Sequence, residues 1–158
     1  MTTETLFKVG GEPDEVSLAL CFYGEALIPE DVSLALGVTP SSAWRRGEVF
    51  GRVVTPRLNG AWFLELRASH PISLSDLIGR LRDALGPEID WALLNQRYTV
   101  QVRVAMHSDR WNFGDELSPA ALSWLAATQA PFLLDIYAYS GHDSDIEKLN
   151  TIQRPRPA

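Results

Sequence analysis

Val16-Ser17-Leu18-Ala19-Leu20-Cys21-Phe22-Tyr23-Gly24 leads through Glu25-Ala26 into Leu27-Ile28-Pro29-Glu30-Asp31-Val32-Ser33-Leu34-Ala35-Leu36-Gly37. The first run alternates, with Val16, Leu18, Leu20 and Phe22 on one face and Ser17, Ala19, Cys21 and Tyr23 on the other. That period of two belongs to a half-buried strand. In the second run Pro29 opens a helix, where its missing N–H costs nothing and its fixed φ already fits. Gly37 then stands where a left-handed residue commonly ends a helix. About ninety residues on, the element recurs as Leu117-Ser118-Pro119-Ala120-Ala121-Leu122-Ser123-Trp124-Leu125-Ala126, again after an alternating run. The chain reads as one strand–loop–helix unit used twice.

The rest of the sequence fits around that repeat. Ala61 to Arg67 is a second strand, with Trp62, Leu64 and Leu66 facing opposite to Phe63, Glu65 and Arg67. Ser73 and Asp76 form a Ser-x-x-Asp capping box ahead of Leu74, Leu77, Ile78, Leu81 and Leu85 at helical spacing. Gly86-Pro87 interrupts, and a short helical piece is expected over Glu88 to Asn95. Tyr98 to Met106 alternates most clearly of all, and Pro131 leads into a last strand, Phe132 to Tyr139. Residues 38–60 are rich in turn formers, with a short edge strand expected over Val49 to Val54. Residues 1–15 read as a flexible lead-in, 16–140 as one domain, and 141–158 as a disordered or extended tail. Each strand keeps one apolar and one mixed face, the pattern of an antiparallel sheet covered on one side. The order β-α-β, linking helix, β-α-β predicts an α+β fold of the ferredoxin-like kind. Its expected form is two split β-α-β halves in an antiparallel sheet of four to five strands with helices on one face.

With 158 residues the chain suits a single core, burying roughly two-thirds of its unfolded surface. No apolar run approaches the ~20 residues that span a bilayer. Met1 to Thr5 lacks the basic and apolar regions of a signal peptide, and Cys21 is the single cysteine. A cytoplasmic protein away from membranes is expected. The net charge of −6 divides unevenly: residues 1–37 carry −6, residues 38–110 carry +3 and the remainder −3. Such a balance disfavours nucleic acid, whose binding needs many cation–phosphate contacts. A basic protein partner or a small anion is easier to accommodate.

Two groups of residues are candidates for binding. In the first, Trp44-Arg45-Arg46-Gly47 with Arg52 and Arg57 sets four arginines against Glu48. Planar guanidinium forks suit carboxylate or phosphate, and the indole can stack on a base or a cation. The competing reading makes Trp44 a plug of the core edge, with Arg45 and Arg46 paired to the acidic first segment. The second group comes from strand parity, which turns Tyr23, Glu65, Arg67, Gln101, Arg103, Asp135 and Tyr137 away from the helices. If the first and third strands are the inner ones, Gln101 and Arg103 lie at the centre of that open face. That face either binds a partner or is solvated and carries weak cross-strand ion pairs. No catalytic triad elbow, phosphate loop or dinucleotide fingerprint is present. His70, His107 and His142 are scattered without metal-ligand spacing, so no cofactor or metal is expected. Cys21, inside a central strand, reads as a packed inert thiol.

Taken together, several motifs resemble one family. They are Phe22-Tyr23-Gly24 running into Leu27-Ile28-Pro29-Glu30, Leu36-Gly37-Val38-Thr39-Pro40, and Ala43-Trp44-Arg45-Arg46-Gly47-Glu48. Gly60-Ala61-Trp62-Phe63-Leu64-Glu65, Leu117-Ser118-Pro119 and Asp135-Ile136-Tyr137 complete the ordered set. The series resembles the bacterial domain-of-unknown-function family 4279 over roughly residues 17–139. The resemblance implies a small α+β domain and no established activity. Small bacterial domains of this type are in some cases immunity proteins against secreted toxins, which is an analogy of fold alone. The leading expectation is therefore a non-catalytic protein-binding module. Its alternatives are an anionic-ligand sensor or enzyme using the Trp44-Arg45-Arg46 loop, and a homo-oligomer joined by an edge strand or the open face.

Overall fold

Burial follows the parity of the first strand, β1 (Glu15–Gly24): Val16, Leu18, Leu20 and Phe22 are all at most 1% exposed. The computed structural model describes residues 11–49, 51, 55–110 and 112–138. After β1 come α1 (Pro29–Leu36), β2 (Ser42–Trp44), β3 (Gly60–Ser69) and α2 (Leu74–Ala84). They are followed by α3 (Trp91–Arg97), β4 (Thr99–Ser108), α4 (Pro119–Ala127) and β5 (Phe132–Ala138). The five strands form one sheet in the order β2-β3-β1-β4-β5. Val32 and Leu36 of α1, Leu74, Leu77, Ile78 and Leu81 of α2, Leu94 of α3 and Ala121 of α4 close the core on one side. Each large apolar side chain removed from water there contributes about 1.5–3 kcal/mol. Phe22 sits at the centre, edge-on to Trp62 at 5.6 Å and to Tyr98 at 6.3 Å.

Local signals behave as their chemistry dictates. Gly37 adopts φ 69° after α1, and the Ser73–Asp76 capping box is complete at the start of α2. At Gly60 the backbone passes so close to Leu27 that a Cβ would stand 2.8 Å from its carbonyl oxygen. The short helix starts later than its composition predicts, because the Asp90 carboxylate accepts the Leu93 N–H at 2.9 Å and makes Trp91 its first residue. Gly11 bridges to Phe113, and the Asp14 backbone donates to the His107 carbonyl and accepts from His70 N–H. Residues 1–10 and the expected tail, with its His142 turn, lie outside the described residues. So does most of the expected Val49–Val54 edge strand.

The α+β class with helices on one face stands, while two expectations about the strands require correction. The sheet is mixed: β1–β3, β1–β4 and β2–β3 are antiparallel, but β4–β5 is parallel. The chain from Ser108 to Phe132 passes through α4 and returns to the end where β4 began, the long crossover that a parallel pair requires. Nor are the β-α-β halves split, since β1 lies beside β3 and β4 beside β5. In the first half the return segment comes back to its own starting end, and Gly24 pairs with Gly60. β3 therefore runs down beside β1 like the second arm of a wide hairpin. Among the described residues, Ser42–Trp44 forms the edge beside β3.

Candidate functional site

On the face turned away from the helices, the middle of β1 presents three small side chains, Ser17, Ala19 and Cys21, before Tyr23. With Ala105 of β4 they floor a concavity of about 360 Å³, within the range of volumes that hold a small ligand or an inserted side chain. One wall is aromatic. Trp44 leans on Phe63 with centroids 5.2 Å apart, and Phe63 meets Tyr23 edge-on at 5.4 Å. The Arg57 guanidinium lies 4.6 Å from the centre of the Trp44 ring, and the indole N–H donates to the Asn59 carbonyl at 3.2 Å. The opposite wall is charged. Arg103 approaches Asp135 at 3.7 Å with both side chains 48% exposed, so its guanidinium remains available to an incoming group. Glu65 completes the rim and accepts Arg67 Nε at 2.9 Å.

Electrostatics assign these groups their states. A hydrogen bond with the Tyr23 hydroxyl raises the pKa of Arg103, keeping it cationic. Burial pushes the Tyr23 phenol up, and burial likewise pushes the Cys21 thiol up. The floor of the recess therefore holds a neutral thiol, a poor nucleophile.

The two candidate groups divide in space. Trp44, Glu65, Arg103 and Asp135 come together around the recess. Gln101 shares the face beside Cys21 without lining the recess. Tyr137 lies at the far end, stacked on His107 at 4.7 Å. Arg45 and Arg46 turn to the acidic first third of the chain, pairing with Glu30 and Glu25 at 2.9 Å each while staying more than half exposed. Trp44 does not plug the core edge. In β2 its neighbour Ala43 packs toward the core, and alternation sends Trp44 to the open face, where it is half-buried. Phe63, Ser17, Ala19 and Ala105 escaped the sequence reading as site residues, although strand parity placed them on this face. A small side chain marks a floor only once its larger neighbours are known. Among the described residues no group of three or more His, Cys, Asp or Glu could hold a metal ion, and no helix is long and apolar enough to cross a membrane.

The α+β layer and its ordered motifs agree with the family comparison. The model of the family described as domain of unknown function (DUF4279) matches residues 14–139. The chain belongs to that family. No curated protein and no solved structure matches the chain.

Proposed function

We propose that this protein is a non-catalytic binding module that engages another protein through the open face of its sheet. The recess between the Trp44–Phe63 wall and the Arg103–Asp135 wall carries this reading. Aromatic rings and arginine are the side chains that most often anchor protein interfaces, and here both flank a floor of small residues. The net charge of −6 favours a basic partner. Inhibition of a basic toxin, as by an immunity protein, is the sharpest form of the proposal. The alternative, a small anionic ligand at the Trp44-Arg45-Arg46 loop, is weakened because Glu30 and Glu25 hold these guanidinium groups in 2.9 Å ion pairs, closer than the 3.7 Å between Arg103 and Asp135. Native affinity enrichment with mass spectrometry separates the two sites. The partner is expected to be lost with Phe63→Ser/Arg103→Glu and kept with Arg45→Ala/Arg46→Ala. Loss only in the loop variant overturns the proposal.

A further inference from the structure

The two edges of the sheet are built differently. β2 is three residues long, with Pro40 just before it and Arg45-Arg46 directly after, features that discourage another strand from adding. β5 is seven residues long and lacks such protection. Phe132 and Leu133 are each 36% exposed, Leu134 47%, Tyr137 44% and Ile136 58%. Its one charge, Asp135, lies beside Arg103, so the strand presents no net charge. Among the described residues no strand lies beyond it.

The ladder with β4 settles which backbone groups face outward. Val102 lies opposite Phe132 and donates to the Pro131 carbonyl at 2.9 Å. In a parallel ladder this commits residues 131, 133, 135 and 137 to β4 and turns the N–H and C=O of Phe132, Leu134 and Ile136 to the free edge. We infer that β5 pairs antiparallel with β5 of a second copy of this chain, about a two-fold axis through Leu134. A second copy fits for reasons of charge and register. A chain of net charge −6 repels itself over most of its surface, but here it offers a neutral edge. Centring on Leu134 sets Phe132 against Ile136 of the second copy, a favourable aromatic–β-branched pair. It also sets Asp135 against Leu133 and keeps the two aspartates from facing each other. An axis perpendicular to the sheet leaves both helix layers on one side and both recesses on the other. The dimer would thus present two binding faces together.

Sedimentation of the full chain at micromolar concentration tests this, with no partner protein required. Wild type is expected to be a dimer. Ile136→Lys and Leu134→Pro are expected to be monomers with an unchanged circular dichroism spectrum. The lysine places like charges at the seam, and the proline removes an N–H that only the second copy uses. If either variant fails to fold, Leu134→Cys in a Cys21→Ala background replaces it, expected to yield a covalent dimer on oxidation because paired Cα atoms there stand about 5.5 Å apart. A monomeric wild type, a dimer that survives in the folded edge variants, or no covalent dimer overturns the inference.

Discussion

Trp62 and Trp44 show how one residue type takes two roles through strand parity. Trp62 is fully buried with its N–H on Ser33 Oγ at 2.9 Å, whereas Trp44 is half-buried on the open face. Chemical denaturation should therefore rank them: about 3–5 kcal/mol lost for Trp62→Ala, half of that or less for Trp44→Ala, and under about 0.5 kcal/mol for Arg45→Ala. Equal losses for the two tryptophans would return Trp44 to the core. Asp14 gives a pH signature. Its carboxylate accepts the Asp109 N–H at 2.8 Å, which holds its pKa below the ordinary aspartate range. A group with a depressed folded pKa stabilises above its unfolded value, and that stabilisation fades as pH falls through the folded one. Stability should decline below about pH 4, and Asp14→Asn should flatten that decline in melts taken across pH. A decline as steep in the variant would remove Asp14 from the account.

α1 shows what a helix gains from one polar contact with the sheet. Its Ser33 hydroxyl is the acceptor for the buried Trp62 indole. Ser33→Ala should cost about 1–3 kcal/mol by leaving that N–H without its acceptor, and Ser33→Thr, which keeps a hydroxyl, should restore most of it. A neutral Ser33→Ala would mean that the contact contributes nothing to docking the helix. The ends of α1 and α2 were legible because proline, glycine and the Ser–Asp box act within a single turn. β2 was not. Three residues are too few to show alternation, and its hydrogen bonds depend on β3, distant in sequence. The start of α3 was missed because the Asp90 cap competes with the general helical composition of residues 88–95.

Strand parity made the two-layer architecture and much of the open face readable, since each strand carries its own inside and outside. Of the strand order, the inner place of β1 and β4 was readable, and the direction of β5 was not. Whether β5 runs parallel or antiparallel to β4 depends on where the intervening chain delivers it, and alternation is the same either way. The recess escaped for the same reason, because Trp44 and Phe63 from neighbouring strands meet Arg103 and Asp135 only after the sheet assembles. Its function as a partner-binding surface is the central claim. Site-specific photo-crosslinking in cells tests it most directly, with the crosslinker placed at Glu65 on the open face or at Arg82 on the helix layer. The account predicts a discrete adduct with another protein from position 65 and none from position 82. Adducts from position 82 alone, or none from position 65, would contradict it.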